Sequence, residues 1–259
     1  MKRIFKKSTA QIETAKRLNL AKQFNKKAKK HSVGIVLVGS VAYAPNENVN
    51  ADSDVDLIVI YKNVKDCVSN YFKDGAEKDH LLSSNYDGIL VKQTIDDVPV
   101  SIHNLNADAF EKISSASYSK LVYYRQSPKN MACNGKDFDG THHSFPSQST
   151  AIEGLKGVRK PDSIAFCVDG KFVMGNDIDK ILSNGKILHD THSFVSKTID
   201  KLWTNVVTKL ADHYKNKGDL SALENADISQ FLYREQRFSK ATKRSLKNRT
   251  QKIIKDLKV

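Results

Sequence analysis

The segment 34–61 constrains the fold of this chain more than any other stretch, because it combines two apolar runs with a polar connection. The runs cover residues 35–38 and 57–61, and both are short and rich in Val and Ile. Such runs are typical of buried β-strands rather than of helices. The segment therefore predicts two buried strands joined by a polar loop.

Four polar positions border this loop and indicate its chemistry. Gly39 and Ser40 follow the first run, and Asp54 and Asp56 lie at the start of the second. On a strand the two aspartates point to the same face, about 7 Å apart, where they can bind one or two divalent cations. Gly39 allows a phosphate to approach the backbone, and Ser40 adds a hydroxyl and an N–H group at the start of a helix. The segment predicts a phosphate-binding turn beside a metal site.

The order of strand, Gly-Ser, spacer, Asp-hydrophobic-Asp and strand resembles the signature of the nucleotidyltransferase superfamily, which includes polymerase β-like palms and antibiotic nucleotidyltransferases. Thirteen residues separate Ser40 from Asp54, at the long end of the usual spacing. The resemblance implies an α/β (α+β) fold, with a mixed sheet flanked by helices and followed by a C-terminal helical region. It also implies an enzyme that transfers a nucleoside monophosphate from an NTP, such as ATP, to a hydroxyl acceptor.

The same resemblance implies a role for each polar position of the segment. Gly39 and Ser40 would hold the triphosphate, and Asp54 and Asp56 would hold two Mg²⁺ ions. Two such ions stabilise an in-line transition state at phosphorus, so the protein itself supplies mainly positioning and charge.

The family carries a third carboxylate on a neighbouring strand, and this chain departs from that pattern. The corresponding strand is expected at 98–105, where alternation places Ser101 and His103 on the polar face. Three interpretations stay open. His103 acts as general base, since histidine titrates near neutral pH. A carboxylate from elsewhere completes the site, the candidates being Asp52, Asp96, Asp97 and Asp108. Or the domain is a catalytically impaired module that binds a nucleotide or RNA.

The net charge of +13 is concentrated at the two ends of the chain. Residues 1–31 carry eleven Lys or Arg and one acid, and residues 231–259 carry ten and two, so that the ends hold +10 and +8 and leave −5 for the middle. Basic segments can follow a phosphate backbone or hold a triphosphate. We therefore expect an NTP, and RNA bound through the terminal helices, as partners. The basic ends modestly favour RNA as the acceptor, whereas a small polar acceptor would need acidic residues around the cleft, which the middle of the chain could supply.

Composition excludes several other classes of protein. No run of eighteen apolar residues occurs, and the basic N-terminus lacks the apolar core of a secretory signal. We therefore expect a cytoplasmic protein without membrane contact. Cys67, Cys133 and Cys167 are widely spaced and odd in number, which argues against a disulfide framework and against structural zinc.

Periodicity and turn residues predict the remaining elements. A capping box at Ser8 opens a helix over 8–30, and apolar stripes predict helices over 192–216 and from 227 onward. Asp96-Asp97 and Asp169-Gly170 each predict a hairpin. Shorter helices are expected at 64–72, 76–82, 107–113 and 118–124. Residues 126–162 are expected to form a long loop segment.

These elements suggest two units. The nucleotidyltransferase domain is expected to cover residues 1–190, including the N-terminal helix and the loop segment. A C-terminal helical domain is expected at 191–259, where it forms the other wall of the cleft.

Overall fold

A computed structural model describes most, but not all, of the chain. The described residues are 7–62, 77–83, 86–108, 110–111, 118–126, 133–137, 142–145, 163–168, 171–173, 180–216, 218–232 and 237–257. The helices are α1 Thr9–Ala28, α2 Ser40–Tyr43, α3 Phe194–Asn216, α4 Leu220–Glu224 and α5 Lys240–Asp256. The strands are β1 Gly34–Val38, β2 Val55–Tyr61, β3 Glu77–Ser83, β4 Tyr86–Ile95, β5 Val98–Asn106, β6 Tyr118–Gln126, β7 Cys133–Asp137, β8 His142–Phe145, β9 Ser163–Val168, β10 Lys171–Val173 and β11 Lys186–Asp190.

Six strands form a mixed sheet in the order β11-β1-β2-β5-β4-β3, which confirms the mixed α/β class. β1 pairs antiparallel with β11 and with β2, whereas β2 pairs parallel with β5. The register aligns Asp56 of β2 with Val38 of β1 and with Ser101 of β5. The sheet therefore brings the end of β1, the start of β2 and the middle of β5 to one place.

Alternation along the central strands separates two layers of core. On one face, β1 and β2 pack against the apolar stripe of α1, as the sequence predicts. On the other face, they pack against the C-terminal helices. Asp56 shares the second face with Ile58 and Ile60, because side chains two apart on a strand point the same way. The site therefore lies on the side of the sheet that the C-terminal helices cover.

A second sheet, antiparallel throughout, has the order β10-β9-β6-β7-β8. β6 occupies the segment expected to be a helix at 118–124, and β7 and β8 lie inside the expected loop at 126–162, so both expectations are wrong. β6 carries three tyrosines and a valine, residue types that favour strands once a partner strand is present. β3 likewise replaces the helix expected at 76–82. The helix expected at 64–72 lies outside the described residues.

Several local predictions are confirmed. Ser8 forms the capping box of α1, and the two predicted hairpins form as β4–β5 and β9–β10. The helix expected from 227 is wrong in its first part. Asp227 caps a short 3₁₀ turn by accepting from Ser229 N, and α5 begins only after Ser239, whose hydroxyl accepts from Thr242 N.

The C-terminal helices share one hydrophobic cluster with the sheet. Trp203 of α3 is 2% exposed and belongs to the same cluster as Val36 and Ile58. At Gly34 an added Cβ would lie 1.9 Å from Val195 Cγ2, so β1 and α3 are in close contact. A domain boundary at residue 190 stays a prediction. None of the helices described here is long and apolar enough to cross a membrane.

Candidate functional site

The turn after β1 lies directly against the carboxylate of Asp56. Gly39 has φ 73° and ψ −161°, a conformation that essentially only glycine adopts. A Cβ at this position would lie 2.1 Å from Asp56 Oδ2. α2 begins at the next residue, Ser40, as the sequence predicts. The structure thus brings the Gly-Ser turn into direct contact with the Asp-x-Asp strand.

Ser40 contributes a hydroxyl to this turn. Its Oγ atom is buried and makes no hydrogen bond to any residue of the part of the chain that the structure covers. A buried hydroxyl without a partner costs about 1–3 kcal/mol, and a bound water or a ligand oxygen would remove that cost. The turn therefore has the chemistry of a phosphate-binding position.

Asp54 and Asp56 form a carboxylate pair at the start of β2. Asp56 is 5% exposed, and Asp54 is half-buried. Burial, followed by the charge of Asp56, raises the pKa of Asp54, although Lys180 acts in the opposite direction. Two carboxylates held together in this way are stabilised by a cation between them. The pair supplies the hard oxygen donors that Mg²⁺ prefers.

Lys180 is the residue of the site that the sequence analysis missed. Its Nζ atom donates to Asp56 Oδ1 at 2.9 Å and lies 3.3 Å from His103 Nε2. An ammonium group can only donate, so His103 Nε2 accepts in this contact. Lys180 stands 124 residues beyond Asp56 in a basic chain, and no local pattern distinguishes it.

The strand β5 places two polar side chains beside the pair, as its alternation predicts. Ser101 Oγ donates to Asp54 Oδ2 at 3.3 Å. His103 is 3% exposed and reaches the pair through Lys180. The structure therefore brings both β5 residues to the carboxylate pair, on the face that their alternation predicts.

Among the residues that the structure describes, no third carboxylate completes the pair as a metal site. Within the described ranges, no group of three or more His, Cys, Asp or Glu side chains is arranged to hold a metal ion. Asp52 and Asp108 are exposed, and Asp96 and Asp97 form the turn between β4 and β5. None of these four candidates joins Asp54 and Asp56 in such a group.

A buried arginine holds the loop that leads into the carboxylate pair. Arg17 of α1 is 1% exposed, and its guanidinium donates from Nε to Ser53 O at 2.6 Å and from Nη2 to Ala51 O at 2.7 Å. It also pairs with Glu13. In the sequence this arginine is one of eleven basic residues between positions 1 and 31, and no pattern distinguishes it. Its role is to fix the backbone immediately before Asp54.

The N-terminus of the basic helix α5 adjoins α2. Ser239 N donates to Tyr43 O at 3.1 Å, and Asn184 Nδ2 donates to Ala42 O at 3.1 Å. The same amide lies 3.4 Å from Thr242 Oγ1 of α5. These contacts place the first basic turn of α5 beside the helix that follows the Gly-Ser turn.

No family model matches this chain, and a comparison with curated proteins found no match. The basis for assigning a function is therefore the chemistry of these side chains. That chemistry consists of a buried carboxylate pair, a close-fitting glycine turn with a buried hydroxyl, and a lysine in contact with one carboxylate.

Proposed function

We propose that this chain is a Mg²⁺-dependent nucleotidyltransferase that moves a nucleoside monophosphate from an NTP to a hydroxyl acceptor. The observation that carries the proposal is the contact of Gly39 with Asp56, where an added Cβ would lie 2.1 Å from the carboxylate. This contact brings a phosphate-binding turn and a metal-binding pair together, which is what transfer at the α-phosphate of an NTP requires.

Each side chain has a distinct role in this proposal. Gly39 lets the triphosphate approach the backbone, and the buried Ser40 hydroxyl donates to a phosphate oxygen. Asp54 and Asp56 would hold Mg²⁺, which neutralises charge on the phosphates when bound. His103 accepts from Lys180 and so orients that ammonium group. A general-base role for His103 stays a prediction.

The direct test uses purified protein with each NTP labelled on the α-phosphate and with RNA 3′ ends, aminoglycosides and proteins as acceptors. We expect label transfer that requires Mg²⁺ and falls by about 100-fold or more in Asp54→Asn and in Asp56→Asn, since each substitution removes a metal ligand. Asp52→Asn is the matched control, because Asp52 is exposed on the same loop. Transfer that survives when both Asp54 and Asp56 are replaced with Asn would overturn the assignment.

A catalytically impaired module that binds a nucleotide or RNA is the second candidate. It is favoured by Ser101 standing where the family has its third carboxylate and by Lys180 pairing with Asp56. The same assay separates the two functions. NTP binding without release of pyrophosphate, whichever acceptor is supplied, would support the module.

The position of α5 favours RNA as the acceptor. Three of its basic residues, Lys240, Arg244 and Lys247, are exposed. Replacing all three with Gln should weaken binding of single-stranded RNA and lower the slope of log affinity against log salt by about 2, since each phosphate contact contributes roughly 0.7.

Fluorescence anisotropy with labelled RNA at several salt concentrations measures that slope. The matched control replaces three exposed lysines of other elements, namely Lys62, Lys197 and Lys215. A small-molecule acceptor is indicated instead if the wild-type protein shows little affinity for RNA even at low salt.

A further inference from the structure

Lys180 stands where the carboxylate pair would otherwise be open to a cation. Its ammonium group contacts Asp56 Oδ1 at 2.9 Å, while the other oxygen, Oδ2, faces the Gly39 turn. The Lys180 side chain is 21% exposed, against 7% for that of Asp56. The ion pair is therefore largely shielded from water, and its attraction is stronger than that of a surface pair.

The contact with His103 holds this ammonium group in place from a second side. His103 is 3% exposed and lies two residues beyond Ser101 on β5, the strand that aligns with β2. Its Nε2 atom accepts from Lys180 Nζ at 3.3 Å. His103, which is distant from Lys180 in sequence, thus helps to direct the ammonium group to Oδ1 of Asp56.

The charges of the described residues favour one divalent ion over two. These residues bring together two carboxylates, Asp54 and Asp56, and one ammonium group, Lys180. One divalent ion added to these three groups leaves a net charge of +1 before the NTP binds, whereas two would leave +3. Lys180 therefore supplies part of the positive charge that a second ion would bring.

We propose that the Lys180 ammonium group replaces one of the two divalent cations, so that this site binds a single divalent ion together with the NTP. This inference rests on the proposed function, since it concerns the same carboxylate pair. It predicts that removing the lysine charge opens a second divalent site at Asp56.

Protein-bound Mn²⁺ can be counted by equilibrium dialysis with a saturating NTP whose α,β-bridging oxygen is replaced by methylene. We expect one ion per chain for the wild type and for Lys180→Arg, which keeps the charge. We expect two ions for Lys180→Met, with the second ion bound on the order of tenfold or more tightly than in the wild type. Lys215→Met, which removes an exposed lysine of α3, should match the wild type.

Thermal unfolding without nucleotide provides a second measurement, which applies even if Lys180→Met folds poorly. Without divalent ions the variant leaves Asp56 buried and without the charge of Lys180, so Mn²⁺ should raise its Tm more than that of the wild type. NaCl of equal ionic strength should not reproduce this rise. Equal Mn²⁺ shifts in both proteins would overturn the inference.

The outcomes distinguish this inference from the proposed function. Two ions in the wild type, with label transfer intact, would overturn the single-ion inference and leave the transferase standing. One ion in the wild type and two in Lys180→Met, without transfer from any NTP, would support the inference and overturn the transferase. A count of one ion in Lys180→Met would overturn the inference whatever the activity.

Discussion

Gly39 and Asp56 contact one another because residue 39 has no side chain. The backbone of Gly39 adopts φ 73° and ψ −161°, and a Cβ there would lie 2.1 Å from Asp56 Oδ2. Two separate costs therefore oppose any substitution. One is the backbone strain of a non-glycine residue at this φ and ψ, and the other is the displacement of a buried carboxylate.

Gly39→Ala should lower the free energy of unfolding by about 3 kcal/mol or more, because it incurs both costs. Gly218→Ala is a matched control, since Gly218 has φ 68° and an added Cβ there would meet no described residue within 4 Å. That variant should lose only about 1 kcal/mol, the backbone cost alone. Urea denaturation measures both losses. Equal losses would contradict the close contact at Asp56.

Asp54→Asn should make the protein more stable at pH 7 when divalent ions are chelated. Burial and the neighbouring Asp56 raise the pKa of Asp54, which means that its negative charge is disfavoured in the folded state. Removing that charge relieves the cost, and an Asn oxygen can still accept from Ser101. Sites of function commonly lower stability in this way.

Urea denaturation in EDTA, repeated with Mg²⁺, measures this effect. Mg²⁺ should stabilise the wild type more than Asp54→Asn, because the variant has lost one ligand. Asp52→Asn should behave as the wild type does under both conditions. A variant that is less stable than the wild type in EDTA would contradict the prediction.

At the level of elements, side chains of a helix and of an edge strand hold the site in position. Arg17 of α1 holds the backbone before Asp54 through Ser53 O and Ala51 O. Asp190 ends β11 and caps the start of α3, accepting from Val195 N at 2.8 Å and from Ser196 N at 3.1 Å. The helix that covers the site face of the sheet is thus joined to the edge strand.

Asp190→Ala should lower stability by about 1 kcal/mol at neutral pH, as the loss of a helix cap does. Burial acts to raise the pKa of Asp190, but hydrogen bonds from Ser196 and Val195 outweigh it and lower the pKa below its ordinary value of 3.8. The folded state therefore binds this proton less tightly than the unfolded state does. The stabilisation is complete above pH 3.8 and is lost as pH falls through the folded-state pKa.

The free energy of unfolding of the wild type and of Asp190→Ala, measured from pH 7 to pH 3, checks this dependence. The difference in the free energy of unfolding between the two proteins should decrease as the pH approaches 3. Ser239 caps α5, because its Oγ atom accepts from Thr242 N. A serine hydroxyl does not titrate between pH 3 and pH 7, so Ser239→Ala is the control. Its cost should not change over the same range. A constant difference for Asp190→Ala would contradict the predicted pH dependence.

At the level of the whole molecule, the sheet and the C-terminal helices share a single hydrophobic cluster. Trp203, the one tryptophan of the sequence, belongs to that cluster, and Arg249 of α5 lies 4.6 Å from the centre of its ring. Elements that share a core tend to unfold together. The residues before and after position 190 are therefore expected to unfold together rather than as two separate domains.

Trp203 fluorescence and hydrogen exchange of the β1 and β2 amides should give the same urea midpoint. Burying Trp203 against the sheet couples the loss of α3 to the loss of β1, so one transition is expected. Mass spectrometry of peptides from residues 34–61 follows the strands, while fluorescence follows the helix. Two separated midpoints would show that the C-terminal helices unfold on their own.

Local features could be predicted from the sequence because their causes are local. The strands at 34–61 follow from a run of β-branched residues, α1 from its capping box and apolar stripe, and the β4–β5 hairpin from Asp96-Asp97. The shared face of Ser101 and His103 follows from period two alone. The second sheet could not be predicted, because its strands depend on partners that are distant in sequence.

By itself, the sequence determined the Gly39-Ser40 turn, the Asp54 and Asp56 pair, and the shared face of Ser101 and His103 on β5. Only the tertiary structure decided what lies against that pair. Lys180 is 124 residues from Asp56, and a contact across that distance leaves no periodic mark in either segment. The role of Arg17 is likewise evident only from its hydrogen bonds to Ser53 O and Ala51 O. Burial is set by the whole fold, so the partner of a buried charge can be identified only once the chain is folded.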